Sequence, residues 1–354
     1  MALATKIALY LSFIAFFLGQ LYRPKFLNFT FPIFDLAILL LFTINLIKRR
    51  KEIKFLSPTV FFIVFSLFSL LINYFRYPFS PSSVFYWLRL SSLLFLLLTP
   101  PKIDNKIEKF FGLVLLANLI FGFIQYLFWP DFTYFSTFNW DPHLYRLLST
   151  FLDPTFTGLI YLMFLLKSYF SKKNYLYLFS IYLGLALTYS RSSLLCFFIV
   201  FSFISLKKKR ISIFLTVLII SLATIFLLPR MPGEGTKLER TSSIKAKIVN
   251  YQQAIKQFSQ ASIIGVGYNN LPTIRPDKES HANSGFDSSL LTIATTTGLI
   301  GLCFFILIFT QSLKKSSLYW QSLILAIFIH SLFANSLLYP WTLFFLVIES
   351  KYRK

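Results

Sequence analysis

The 354-residue sequence is short of charged residues, and above all of acidic ones. Asp, Glu, Lys and Arg together make up 14% of the chain, whereas an ordinary soluble domain has about 25%. Because 56% of the residues are hydrophobic, a soluble fold of this size could not bury them, and a globular cytosolic enzyme is excluded. The acidic deficit is sharper: 13 Asp and Glu face 35 Lys and Arg, which leaves a formal net charge of +22.

Residues that hold metals or form disulfides are also scarce. Cys196 and Cys303 both lie inside apolar runs and form neither a disulfide framework nor a metal-binding spacing. No carboxylate pair and no His/Cys cluster has metal-ligand spacing, so the sequence gives no support for a metal and we expect no cofactor. Gly265-Val266-Gly267 follows no βαβ strand and lacks the Lys of a P-loop, which argues against nucleotide binding.

The sequence contains many apolar runs that are long enough to span a membrane. A bilayer core about 30 Å thick requires roughly 20 apolar residues per helix, and fewer where flanking residues snorkel. The sequence therefore predicts an all-α polytopic membrane protein with about twelve transmembrane helices, at 7–22, 31–47, 55–74, 84–99, 107–129, 154–170, 175–190, 192–206, 211–228, 287–313, 318–335 and 337–349. The boundaries within 175–206 and 318–349 are the least defined. No small-residue cleavage site follows the first run, so we expect a retained helix.

The basic residues lie on alternate connections between these helices. Of the 35 basic residues, 21 belong to this set: Lys6, those of 48–54, 102–109, 167–173 and 207–210, Lys314, Lys315, and those of 351–354. The positive-inside rule assigns all of these connections, and both termini, to the cytoplasm. Since much of the positive charge then serves topology, we expect no nucleic-acid partner.

One long extracytoplasmic connection, residues 229–286, interrupts the single membrane domain that we expect over 1–354. Within it an apolar residue recurs every three or four positions, which is typical of an amphipathic helix: Ile244, Ile248, Tyr251, Ile255 and Phe258. The apolar side of this helix would face either lipid or the helical bundle. Further along, Gly298 and Gly301 form a small-residue pair that predicts close helix packing in the tenth transmembrane helix.

Four ionisable residues lie within or beside predicted helices on the side where positive charge is disfavoured. Such residues are costly in a membrane and are functional candidates by default: Arg89, Arg146, Arg191 and His281. Several guanidinium groups around one outer cavity would suit a diphosphate, and a neutral His could accept a proton from a hydroxyl. The structural alternatives are pairing of Arg89 with Asp35 or a carbonyl, interfacial anchoring by Arg146 and Arg191, and an ordinary loop role for His281.

The order of these motifs resembles the superfamily of O-antigen ligases and O-antigen polymerases, which are membrane glycosyltransferases. Four segments carry the resemblance: Arg146 with Phe151-Leu152-Asp153-Pro154; Leu187-Thr188-Tyr189-Ser190-Arg191-Ser192-Ser193; 242–251 with 264–270 in the long loop; and His281-Ala282-Asn283 with 289–291 and 297–302. Two positions depart from the family pattern. Lys247 and Tyr251 stand where the family has Arg and Trp, so that Arg240 is a candidate to compensate, and Ala282 separates His281 from Asn283.

The resemblance implies a metal-independent, inverting transfer of a glycan from an undecaprenyl-diphosphate carrier to an acceptor hydroxyl at the outer face of the bacterial cytoplasmic membrane. It implies catalytic roles for His281, Arg191 and Arg146, with Arg89, Arg240 and Lys247 as further diphosphate ligands. The supporting candidates are Asp153, Ser190, Tyr251, Asn283 and Asp287. The partners would be the lipid-linked glycan, a glycan or lipid acceptor, and the bilayer. Two alternatives stay open: a transporter or flippase of a lipid-linked or anionic solute, and a purely structural membrane protein.

Overall fold

The computed structural model describes residues 3–26, 29–49, 56–77, 80–138, 140–275 and 285–353. These residues form fourteen α-helices and two short antiparallel hairpins. The helices are α1 Leu3–Leu18, α2 Ile33–Arg49, α3 Pro58–Asn73, α4 Pro81–Leu98, α5 Asn105–Phe128, α6 Pro154–Phe170, α7 Tyr175–Ala186, α8 Arg191–Lys208, α9 Ile211–Leu227, α10 Ser242–Gln260, α11 Leu271–Ile274, α12 Ser289–Leu313, α13 Leu318–His330 and α14 Pro340–Glu349. The hairpins pair β1 Lys25–Phe26 with β2 Phe29–Thr30, and β3 Asp131–Phe132 with β4 His143–Leu144.

Each predicted transmembrane run overlaps one helix of the set α1–α9 and α12–α14. Among the described residues, α4, α5 and α12 are long and apolar enough to cross a membrane by length and composition, and α1, α3, α7, α9 and α13 are shorter apolar helices. The expectation of an all-α membrane protein is therefore confirmed. The number of helices that cross the bilayer stays a prediction.

Basic residues from several alternate connections meet acidic partners at one end of the bundle. Lys6 lies 3.2 Å from Asp104, and Lys167 lies 2.9 Å from Glu108 and 2.6 Å from Glu349. Glu349 is fully buried. Because Glu108, Lys167 and Glu349 belong to α5, α6 and α14, these ion pairs fasten three helices together at this end.

Helix α12 is broken in its first half, where the sequence predicts a continuous helix. Gly298 has φ 65° and ψ −172°, a combination that is essentially restricted to glycine. A Cβ atom on Gly298 would lie 2.0 Å from the carbonyl oxygen of Ile263, so the loop backbone fills the break. Leu299 N–H donates to the Ser262 carbonyl at 2.8 Å. The predicted small-residue packing applies to Gly301, whose Cβ position is 3.5 Å from the ring of Phe65 on α3.

Helix α10 exposes three of the five residues of its predicted apolar stripe. Ile244, Ile248 and Ile255 are 48%, 53% and 59% exposed, so these three side chains do not pack on the bundle. The face that packs inward carries the buried Ala254 and the half-buried Lys247. Tyr251 and Phe258, the other two residues of the stripe, are half-buried, so the stripe lies partly against the bundle, and whether its exposed part faces lipid stays a prediction.

Candidate functional site

Arg146 lies buried, 8% exposed, in the connection between α5 and α6. Its Nε donates to the Thr188 carbonyl at 2.9 Å, and the next residue, Leu147, donates its N–H to the Leu187 carbonyl at 2.9 Å. These bonds hold the Arg146 segment against the end of α7.

The backbone around Arg146 and Arg191 is strained. Tyr145, Ser149, Leu152 and Tyr189 all have left-handed φ values, of 51°, 51°, 56° and 51°. Non-glycine residues adopt this conformation at an energetic cost, and such residues cluster at ligand and active sites. Half of the eight non-glycine residues with positive φ among the described residues thus lie in the two segments that carry these arginines.

Arg191 is the first residue of α8, and its guanidinium group binds the loop that precedes α10. Its Nη1 donates to the carbonyls of Leu238 at 3.2 Å and Arg240 at 2.6 Å, and its Nη2 donates to the Ser243 hydroxyl. Ser190, a predicted supporting residue, caps α8 by accepting from the Ser193 N–H. The segment Thr188-Tyr189-Ser190-Arg191 thus forms the N-terminus of α8 and positions the Arg191 guanidinium group against the loop.

Arg240 completes a group of three arginines with Arg146 and Arg191. Its Nη1 donates to the carbonyls of Gly235 at 2.7 Å and Lys237 at 2.9 Å. Burial and the neighbouring Arg240 charge lower the pKa of Arg146 to about 9. Burial and the neighbouring Arg191 charge likewise lower the pKa of Arg240. The three cations therefore repel one another inside the protein.

No carboxylate of the described residues lies within 4.0 Å of any of these three guanidinium groups. Asp153, a predicted supporting residue, acts on Arg146 only at longer range, because its Oδ1 caps α6 by accepting from the N–H groups of Thr155 and Phe156. With a pKa of about 9, Arg146 stays mainly charged at neutral pH. The cluster is consequently an electropositive site that an anion would stabilise.

Lys247 lies in a neighbouring group that already contains an acid. Its Nζ donates to the Phe333 carbonyl at 2.6 Å and lies 3.5 Å from Asp287 Oδ2. The N–H of Asp287 donates to Asn250 Oδ1 at 2.8 Å. Burial, with a further contribution from Asp287, raises the pKa of Tyr251. The predicted residues Lys247, Tyr251 and Asp287 thus come together, but as a link between α10, the start of α12 and the end of α13.

Arg89 forms the ion pair that the sequence allowed as its structural alternative. Its Nη1 lies 3.2 Å from Asp35 Oδ2, and its guanidinium lies over the Tyr86 ring at 4.4 Å. The electrostatic partners described for Arg89 include neither Arg146 nor Arg191. Arg89 is therefore neutralised by Asp35, unlike the three arginines of the cluster.

The predicted residues His281 and Asn283 lie outside the described residues. A different histidine, His330, is fully buried beside the arginine cluster. Its Nε2 lies 3.1 Å from the hydroxyls of Ser192 and Ser193, and its Nδ1 contacts the Ser336 hydroxyl. These contacts tie the end of α13 to the first turn of α8, so His330 helps to position Arg191.

An apolar groove of about 670 Å³ runs between α8 and α9 from the arginine cluster. Arg191, at the start of α8, lines the groove together with Arg230 and Glu239, which lie 4.0 Å apart in the following loop. The apolar walls come from Leu194, Leu195, Phe198, Leu218, Leu222 and Ile225. A charged head with a long apolar extension is the shape that a membrane lipid with an anionic headgroup would fit.

Residues 176–306 match the protein family described as O-Antigen ligase. The matched segment contains Arg191, Arg240 and Lys247, and ends within α12. The resemblance to the superfamily of O-antigen ligases and polymerases is thereby confirmed, and the match supports a membrane glycosyltransferase of this general type with lipid-linked glycan substrates. No curated protein matches the chain.

Proposed function

We propose that this protein transfers a glycan from an undecaprenyl-diphosphate carrier to an acceptor hydroxyl, without a metal ion, at the outer face of the bacterial cytoplasmic membrane. The observation that carries the proposal is the cluster of Arg146, Arg191 and Arg240, which has no carboxylate partner among the described residues and adjoins an apolar groove. A diphosphate would supply the missing negative charge.

In the proposed reaction the acceptor oxygen attacks the anomeric carbon of the glycan from the side opposite the carrier. The new bond joins that oxygen to the anomeric carbon, while the bond from the carbon to the diphosphate oxygen breaks, so the anomeric configuration inverts. Negative charge grows on the departing diphosphate, and Arg146 and Arg191 would stabilise it there, since fixed donors aimed at developing charge lower a barrier most. His281 is proposed to take the proton of the acceptor hydroxyl.

The carrier's hydrocarbon chain would occupy the groove between α8 and α9. Because Arg191 lines one end of the groove and most of its walls are Leu, Ile and Phe side chains of α8 and α9, a diphosphate held by the cluster would leave its chain in a largely apolar environment. The proposal places the cluster at the outer face, both termini in the cytoplasm, and the 229–286 loop over the site.

A transporter would use a broken helix to line a substrate cavity, and α12 is broken at Gly298. Here, however, the break is filled by backbone of the 262–267 loop. Val266 and Gly267 donate their N–H groups to the carbonyls of Thr295 and Thr296, both at 3.0 Å. The break therefore anchors the loop to the bundle, and transfer is favoured over transport.

The proposal is tested by reconstituting the protein with labelled undecaprenyl-diphosphate-linked glycan. Chain extension identifies a polymerase, transfer to a lipid or other acceptor identifies a ligase, and translocation without transfer contradicts the proposal. Arg191→Ala should abolish transfer while membrane insertion is unchanged. Arg210→Ala, exposed just beyond the opposite end of α8, is the matched control and should transfer normally. Full activity of Arg191→Ala would overturn the assignment, whereas full activity of His281→Ala would remove only the proposed base.

A further inference from the structure

Buried polar atoms that lack a hydrogen-bond partner are concentrated in one part of the described structure. Such atoms are rare in folded proteins because burial removes their water. Of the nine side-chain atoms of this kind among the described residues, six belong to Gln20, Arg23, Asp35, Tyr339, Trp341 and Thr342. These residues follow α1, open α2 and open α14, so three chain segments bring their unpaired groups to the same end of the bundle.

Several of these residues lie close enough to interact. Arg23 is within electrostatic range of Asp35, Arg89 and Tyr339. The rings of Tyr339 and Trp341 have centroids 4.8 Å apart. We call Arg23, Asp35, Arg89, Tyr339 and Trp341 the second polar cluster.

The second polar cluster contains both hydrogen-bond acceptors and donors without partners. Asp35 is fully buried, and while its Oδ2 pairs with Arg89, its Oδ1 has no partner among the described residues. Arg23 Nε and Trp341 Nε1 are buried donors that also have no hydrogen-bond partner among the described residues. A phosphate group only accepts hydrogen bonds and would be repelled by Asp35, while a metal ion would be repelled by the two arginines. A hydroxyl group donates and accepts at once, so a ligand with several hydroxyl groups satisfies both kinds of atom.

The second polar cluster adjoins the arginine cluster through Asp153. This carboxylate lies within electrostatic range of Arg146 on one side and of Tyr339 on the other. Phe156, in the helix turn that Asp153 caps, stacks on the Tyr339 ring with centroids 3.9 Å apart and planes at 5°. A group attached to a diphosphate at Arg146 would therefore extend toward Tyr339.

We propose that the second polar cluster is a sugar-binding subsite, which rests on the proposed transfer function. It holds the hydroxyl groups of a sugar unit beside the diphosphate, and this sugar belongs either to the donor or to the acceptor. Arg89 then acts with Asp35 on the sugar, not on the diphosphate.

Tyr339→Phe is the sharpest test, because it removes a buried hydroxyl that lies beside the Gln20 side chain and keeps the ring that stacks on Phe156. The full chain in lipid nanodiscs is assayed for binding of bare undecaprenyl diphosphate and of the undecaprenyl-diphosphate-linked glycan extracted from the producing cells. Loss of one hydrogen bond should weaken glycan-lipid binding by about 2- to 10-fold, with bare-lipid binding unchanged, if the sugar is the donor's. If the sugar is the acceptor's, both lipids bind as before and the acceptor KM rises by the same factor.

Tyr319→Phe is the matched control, since the Tyr319 hydroxyl has a partner, Glu349 Oε2 at 3.0 Å, at the opposite end of the bundle. It should lower thermal stability and leave both lipid affinities and the acceptor KM unchanged. Arg191→Ala should weaken the binding of both lipids by the same factor. Tyr339→Phe with unaltered lipid affinities and acceptor KM overturns the subsite and indicates a cluster that holds water alone. If Arg191→Ala binds both lipids normally, the proposed function itself fails.

Discussion

Replacing Arg146 by Gln should make the empty protein more stable while it weakens binding of the donor. In Gln the Nε2 atom occupies the position of Arg Nε, so the substitution removes the charge but keeps a donor for the Thr188 carbonyl, which is 2.9 Å from Nε. The pKa of Arg146 falls from 12.5 to about 9 because of burial and the Arg240 charge. The unfolded chain therefore binds this proton more tightly than the folded chain does, and near neutral pH the charge opposes folding.

The size of this effect follows from the pKa. The difference between 12.5 and about 9 corresponds to ~5 kcal/mol of unfavourable free energy in the folded state. A neutral hydrogen bond to Thr188 is weaker than a charged one by about 1 kcal/mol, and relaxation around Gln reduces the gain further. We expect a net stabilisation of ~2–3 kcal/mol, or roughly 3–4 °C in the unfolding midpoint.

The assay is thermal unfolding in detergent, with and without undecaprenyl diphosphate. Lipid at about 100 times its Kd should stabilise the wild-type protein by about 2.7 kcal/mol, and the Arg146→Gln protein by clearly less. Arg210→Gln, exposed beyond the other end of α8, should match the wild type in both conditions. A midpoint for Arg146→Gln below that of the wild type without lipid, or an equal lipid-induced shift in both proteins, would refute the electrostatic reasoning.

Two further predictions concern the loop that covers the site. Gly298→Ala should lower the unfolding midpoint at a cost of at least ~1–3 kcal/mol, because Gly298 has a φ of 65° and a Cβ atom there would lie 2.0 Å from the Ile263 carbonyl oxygen. Gly112→Ala in α5 should leave the midpoint unchanged, because nothing lies within 4 Å of its Cβ position. Equal midpoints for the two variants would contradict the break in α12. Ile248→Trp, on the exposed part of the α10 stripe, should be quenched by brominated lipids in vesicles. Gln253→Trp, which is exposed on nearly the opposite side of the helix, should be quenched less, and equal quenching of the two would contradict the membrane orientation of α10.

The helical architecture was predictable because it depends on the length of apolar runs, a local property of the sequence. The break in α12 was not, since Gly298 stands in an apolar run with Gly301 three positions on, a spacing that also suits close helix packing. Its conformation is determined by contact with Ile263, 35 positions earlier in the sequence. A tertiary contact of this kind leaves no periodic signal.

The arginine cluster was predictable only in part. Arg146 and Arg191 stood out because they lie on connections that the positive-inside rule predicts to be extracytoplasmic, where positive charge is unusual, and the structure brings both to Arg240. Tyr339 gave no signal, because it is one of 19 tyrosines and its position beside Asp153 and Arg89 depends on the packing of α14. Arg23 gave no signal either, because nothing in its local sequence sets it apart from the other basic residues.

The scarcity of acidic residues explains why the proposed phosphate site is where it is. Asp141 and Glu234 act on Arg146 and Arg240 only at longer range, without forming an ion pair. Three other acids near cations already have a partner or cap a helix: Asp35 pairs with Arg89, Asp287 pairs with Lys247, and Asp153 caps α6. None of these three carboxylates lies within 4.0 Å of Arg146, Arg191 or Arg240. A diphosphate would therefore meet little competition from carboxylates at the arginine cluster. At Arg89 it would have to displace a fully buried aspartate, and this difference separates the proposed phosphate site from the proposed sugar subsite beside it.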